Sequence, residues 1–233
     1  SAENPLVIVG KGMSWSRAED EVREFIERTQ LPFLASPMGK GVMPDDDPLS
    51  VGAARSTALR EADVVLLMGA RLNWIMHFGL PPRFKEGVRV IQLDVAAEEM
   101  GTNVPAEVAL LGDGKAITAQ LNRALDDRQW FFPAEAPWRA TLKEKAEENQ
   151  AQVAPMVDDD AAPMNYYRAY RDIEDWLPEN AIVIGEGANT MDIGRTQMAN
   201  RSARNRLDAG SYGTMGIGLG FTIGAAVVAP DQP

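Results

Sequence analysis

Five short runs of aliphatic and β-branched residues recur through the first half of this chain, with helical patterns between them. That alternation restricts the fold more than any other feature. Leu6-Val7-Ile8-Val9 is the first run and Phe33-Leu34-Ala35 the second, and residues 63–68, 88–93 and 108–111 follow. Val22, Phe25 and Ile26 mark one face of a helix predicted over 16–28, and Asp113 is placed to cap another over 115–125. Strands separated by helices are joined by crossovers, and crossovers produce a parallel, doubly wound α/β sheet with helices on both faces.

The texture changes near Trp130. Phe131-Phe132-Pro133 ends the first unit, residues 135–153 read as a charged, solvated helix, and Asp158-Asp159-Asp160-Ala161-Ala162-Pro163 reads as an acidic linker. The predicted organisation is a first unit over 1–130, a linker over 131–163 and a second, partial α/β unit over 164–233. That second unit has a helix over 166–176, a strand over 181–184, a helix from Thr190, a strand at Arg206-Leu207-Asp208 and a glycine-rich helix opening at Gly213. Two strands and a few helices cannot cover both faces of a parallel sheet, so 164–233 is expected to depend on the first unit or on further chain.

Composition removes several classes of function. A net charge of -11 and a pI near 4.7 argue against nucleic acid, which requires a basic footprint. Cysteine is absent, so disulfides, CxxC redox pairs and thiolate metal sites are excluded for this sequence. No apolar run is long enough and unbroken enough to span a bilayer, so no membrane partner is expected. No leader is visible, and eleven Met without Cys fits an intracellular protein. The expected location is cytoplasmic, or peroxisomal for a eukaryotic parent.

Three predicted strand ends carry residues suited to a nucleotide. Lys11 lies between two glycines after the first strand, where a backbone free of side chains can approach a ligand and a lysine can meet a phosphate beside helix N–H groups. The plainer reading is a tight turn with an exposed lysine, because GKG has neither Walker nor GxGxxG spacing. Arg71 follows the third strand. Asp94 ends the fourth, where a carboxylate either accepts from a ribose hydroxyl or caps the residues after it. Gly112-Asp113-Gly114 looks like the opening of a magnesium motif, but no Asn-Asn follows at a suitable distance and Asn122 falls inside the next helix; it reads as a helix cap. His77, the only histidine, lies among bulky apolar residues with no triad or metal partner nearby, which makes it structural or substrate-facing. Gly213, Gly216, Gly218 and Gly220 would each cost about 1 kcal/mol in a helix interior, so either a cofactor or tight helix packing must offset them.

Taken together, Gly52-Ala53-Ala54-Arg55, Gly69-Ala70-Arg71-Leu72-Asn73-Trp74, Met164-Asn165-Tyr166-Tyr167, Glu186-Gly187-Ala188-Asn189-Thr190-Met191-Asp192 and Gly213-Thr214-Met215-Gly216 make this chain resemble the thiamine diphosphate-dependent 2-hydroxyacyl-CoA lyase and oxalyl-CoA decarboxylase family. The likeness runs almost end to end. His77-Phe78-Gly79-Leu80-Pro81-Pro82 is more similar to the lyase branch. The resemblance implies a central CoA/ADP-binding domain over 1–130 and a truncated opening of the cofactor domain over 164–233.

It further implies that Lys11, Arg55, Arg71, Asp94, Val95 and Asp113 hold the adenine-ribose-phosphate end of coenzyme A or ADP. Gly213 would offer its carbonyl to the aminopyrimidine, with Thr214 beside it and Met215 wedged beneath the cofactor. Gly187, Ala188 and Asn189 would face the diphosphate or the thioester, and Tyr167 would line the same pocket. Magnesium would accompany thiamine diphosphate, with its ligands and the activating glutamate outside this chain. The implied reaction of the parent cleaves a 2-hydroxyacyl-CoA to formyl-CoA and an aldehyde. The alternatives are an oxalyl-CoA decarboxylase parent and, for the isolated chain, a non-catalytic CoA/ADP-binding module. The parent is expected to be a homo-oligomer, a dimer or tetramer.

Overall fold

The computed structural model describes residues 2–233. Five strands, β1 (Pro5–Val9), β2 (Phe33–Ala35), β3 (Val64–Met68), β4 (Arg89–Asp94) and β5 (Ala106–Leu111), form one parallel sheet in the order β2-β1-β3-β4-β5. β1 lies inside the sheet, pairing Val7 with Phe33 on one side and with Leu66 on the other. All five of its residues are buried, which is why its sequence is continuously apolar and does not alternate. At the β5 edge, by contrast, burial is slight.

The helix predicted over 16–28 is α2 (Glu19–Thr29), and an unexpected short helix, α1 (Lys11–Trp15), precedes it. Arg17 has a φ of +52°, which ends the first helix, and three acidic residues in the first turn of α2 suit the positive end of its dipole. α3 (Arg55–Glu61) precedes β3, and α4 (Gly114–Asp126) follows β5 and packs against α2. α5 (Pro137–Val157) carries the charge expected of it, yet its first turns are not solvated. Trp138 and Leu142 are buried there, and Trp138 Nε1 donates to the Pro5 carbonyl at 2.9 Å. Phe132, which precedes α5, is buried in the same core.

The second unit has a two-stranded parallel sheet of β6 (Val183–Gly185) and β7 (Arg206–Asp208), with α6 (Tyr166–Glu174), α7 (Ala188–Gln197) and α8 (Ile217–Val228) around it. The glycine-rich helix begins later than expected. Gly213 and Gly216 have φ values of +60° and +84° and form a turn ahead of α8; only Gly218, Gly220 and Gly224 are helical. Apolar Leu219, Ile223 and Val227 of α8 are exposed, although a helix apolar on every face is built for burial.

Candidate functional site

Strand order reverses between β1 and β3, and in an open parallel sheet that reversal leaves a crevice beyond the carboxyl ends of the strands. Here it holds a cavity of about 440 Å³. Lys11 reaches it from β1, Arg71 from β3, Asp94 and Val95 from β4, and Asp113 from the end of β5. The glycines around Lys11 also pack against the neighbouring strand end. Gly10 N–H donates to the Met68 carbonyl at 2.8 Å and Gly12 N–H to the Gly69 carbonyl at 3.0 Å. A Cβ on Gly10 would lie 2.1 Å from the Gly69 carbonyl oxygen, so the close approach of chain to chain requires glycine there.

Asp94 makes the capping contact that is one of its two readings. It is buried at the cavity wall, and its Oδ1 accepts from Ala96 N–H at 2.9 Å, an Asx turn that orients the carboxylate. Asp113 Oδ1 accepts from Ala116 N–H at 2.9 Å and caps α4 while facing the same cavity. Asn122 is buried and donates to the Glu21 carbonyl at 2.9 Å, away from Asp113. Arg71 stands at the rim, with Nε 3.1 Å from Glu99 Oε1. The cavity therefore offers two cations, three carboxylates with Asp208 among them, and the exposed apolar side chain of Val95.

The second unit closes one side. Asp208, Gly210 and Ser211 line the cavity, and Asn73 Nδ2 and Trp74 Nε1 donate to Ser211 Oγ at 2.9 Å and to its carbonyl at 2.7 Å. Deeper in the junction, Lys40 Nζ bonds Asp45 Oδ2 at 2.8 Å and the Arg195 carbonyl at 2.7 Å. Burial lowers the Lys40 pKa, against the opposing pull of Asp45. Asn200 N–H donates to the same Asp45 oxygen at 2.7 Å. Neighbouring Arg206 is likewise lowered by burial, and its Nε and Nη1 have no hydrogen-bond partner among the described residues.

Two glycine-rich loops meet beside this junction. Gly187, with φ of +91°, precedes α7, and Ala188 and Asn189 are exposed in its first turn. Across from them the turn 213–216 presents Gly213, Thr214 and Met215 to solvent. Glu186 bridges the two: its Oε1 accepts from Gly216 N–H and its Oε2 from Gly218 N–H, both at 2.5 Å. These bonds hold its pKa below the usual carboxylate range. Tyr167 is half-buried on α6, which packs against α7.

The sequence model for the thiamine pyrophosphate enzyme central domain matches residues 1–121. The chain belongs to that family. It is 52% identical to 2-hydroxyacyl-CoA lyase 1 of Homo sapiens over 232 residues, covering 100% of this chain and 40% of the relative. The 2-hydroxyacyl-CoA lyase of Oryza sativa is 43% identical over 235 residues, 99% of this chain and 41% of the relative. Oxalyl-CoA decarboxylase of Escherichia coli K12 is 41% identical over 229 residues, 97% and 40%. The chain thus spans about two fifths of the length of these curated relatives.

The turn 213–216 is open enough to leave room for a cofactor ring: a Cβ on Gly213 or Gly216 would meet nothing within 4 Å, and Met215 is 68% exposed. No group of three His, Asp or Glu among the described residues is placed to hold a metal. Nor is any helix among them long and apolar enough to cross a membrane.

Arg55 is the one predicted nucleotide residue that lies outside the cavity. It starts α3, donates to the Ile75 carbonyl at 2.8 Å, and feels Arg195 and Arg83 as neighbouring cations. Burial first, and that repulsion second, bring its pKa down to about 10. His77 faces the same cluster; burial first, and then the charges of Arg55, Arg83 and Arg195, push its pKa down. Lining residues absent from the sequence reading include Trp15, Ser36, Pro37, Met38 and Ser211. The strand-end rule extended to β2 would have found Ser36 and Met38. No sequence signal links Ser211 to the cavity, since the link is a contact 138 residues from Asn73.

Proposed function

We propose that this chain is part of a thiamine diphosphate-dependent lyase that cleaves a 2-hydroxyacyl-CoA to formyl-CoA and an aldehyde. Residues 1–130 are the CoA/ADP-binding domain, 131–163 the linker and 164–233 the opening of the cofactor domain. One observation carries this reading: the cavity at the β1/β3 reversal assembles Lys11, Arg71, Asp94, Val95 and Asp113 against the unit that bears both glycine-rich loops. Lys11 and Arg71 counter phosphate charge, Asp94 accepts from a ribose hydroxyl, and Val95 offers an apolar edge to the base.

In the cofactor unit Gly187, Ala188 and Asn189 take the diphosphate side, with Tyr167 behind α7, and Gly213, Thr214 and Met215 take the ring side. Thiamine diphosphate, when bound, supplies the electron sink for breaking the bond between the thioester carbonyl carbon and the hydroxyl-bearing carbon. Magnesium is its counter-ion. The identity with oxalyl-CoA decarboxylase, lower than with the human lyase, supports decarboxylation as the second reading.

Calorimetric titration of this chain with ADP and with CoA tests the assignment. Lys11→Ala and Asp94→Ala are expected to weaken both ligands by about tenfold or more, the loss of one charge-assisted contact. Arg55→Ala, outside the cavity, is expected to leave ADP binding unchanged. Failure of the folded, unsubstituted chain to bind either ligand would refute the nucleotide site.

A further inference from the structure

The two glycine-rich loops of the second unit come from different parts of the chain, 187–189 after β6 and 213–216 before α8. Little else ties them together. Gly213 and Gly216 both have left-handed φ, no side chain fills the space around either, and Tyr212, Thr214 and Met215 are exposed. A turn of that composition has many accessible conformations, because glycine gives up more backbone freedom on ordering than any other residue. One side chain limits it. Both carboxylate oxygens of Glu186 are taken up by the Gly216 and Gly218 N–H groups, which are otherwise unpaired at the start of α8.

We infer that Glu186 is a positioning residue: its two-pronged bond holds the 213–216 turn, and with it the Gly213 carbonyl and the Met215 side chain, at a set height over the 187–189 loop. This rests on the cofactor reading given above. The same contact keeps the start of α8 closed to a phosphate group, so a diphosphate is directed to Gly187, Ala188 and Asn189. There α7 begins with no side-chain cap among the described residues. The close fit is also visible from the other side, where a Cβ on Gly218 would lie 2.7 Å from Glu186 Oε2, leaving no room for any other residue at that position while the carboxylate stays.

The test compares Glu186→Gln and Glu186→Ala with the unsubstituted protein. Gln keeps the size and one acceptor oxygen but loses the charge and the second prong. In this chain, exchange of the Gly216 and Gly218 amide protons, followed by NMR, is expected to rise by about tenfold in either variant, while ADP titration stays unchanged and reports the integrity of the first unit. In the full-length enzyme, affinity for thiamine diphosphate with magnesium is expected to fall by about tenfold, with KM for the acyl-CoA nearly unchanged.

Unaltered amide exchange would overturn the inference, because the carboxylate would then not be what orders the turn. Faster exchange with unaltered cofactor affinity would overturn it as well, leaving Glu186 as a helix cap. If the unsubstituted full-length protein binds no thiamine diphosphate, the cofactor reading itself falls and takes the inference with it. A null result confined to the variants leaves that reading standing.

Discussion

Replacing Gly10 with alanine is the sharpest perturbation this fold offers, because the added carbon has nowhere to go. It would lie 2.1 Å from the Gly69 carbonyl oxygen and 2.5 Å from the Gly69 carbonyl carbon, more than 1 Å inside ordinary contact. Both obstacles are backbone. Gly69 is itself held at φ +58° against Gly12 and Met13, so the strand end cannot rotate away. The ends of β1 and β3 must separate, which strains the Gly10 N–H bond to the Met68 carbonyl. Overpacking costs about 1–3 kcal/mol and the bond about 1 kcal/mol. The melting temperature should therefore fall by roughly 5–15 °C at this chain length. Because Lys11 and Arg71 flank the crossing, ADP affinity should fall too, even where the protein is still folded. Gly52→Ala is the control, since its Cβ would meet only the Ser50 hydroxyl at 3.9 Å, and it should be neutral or stabilising by up to about 1 kcal/mol. A Gly10→Ala protein that melts within about 2 °C of the parent and binds ADP normally would refute the crossing argument.

Two further outcomes follow from side chains that fasten the first unit. Trp138→Phe keeps an apolar ring in a site where Trp138 is 3% exposed but leaves the Pro5 carbonyl without its donor; it should lower stability by about 1–3 kcal/mol, read as a shifted urea midpoint with an unchanged m value. A midpoint that does not move would remove that bond from the account. Asp63 is opposed by partial burial, yet the Glu3 and Asn4 N–H groups at 2.8 and 2.9 Å lower its pKa. Its stabilisation is complete above the unfolded-state value and is lost as pH falls through the lower folded-state value. Asp63→Asn should therefore be less stable than the parent at pH 7, with melting curves that converge in acid; a gap that persists below pH 2 would contradict the assignment.

Much of the first unit is legible along the chain, because a parallel strand buried on both faces must be continuously apolar and a crossover must contain a helix. Leu6-Val7-Ile8-Val9 and the residues of β3 announce themselves that way. So do the residues at strand ends. Once the sheet is parallel, everything just past a carboxyl end shares one edge, which is how Lys11, Arg71, Asp94 and Asp113 come to one cavity. The cap formed by Asp113 is legible too, since it depends on neighbours three residues away.

What the chain does not declare is anything set by contacts between distant segments. The break between α1 and α2 has no proline or glycine to mark it; it falls at Arg17, which is in a left-handed conformation. Gly10 and Gly12 look like ligand glycines, and only the fold sets Gly69 against them. Arg55 carries the same charge as Lys11 and Arg71, but the direction of α3 turns it toward Arg195 and away from the nucleotide edge. Strand order is likewise a tertiary fact: local sequence specifies that five strands exist, while the burial of β1 between β2 and β3 decides where the sheet reverses and therefore where a ligand can enter. Periodicity and caps are short-range and written residue by residue, whereas a cavity is made of side chains that meet only after the chain has closed on itself.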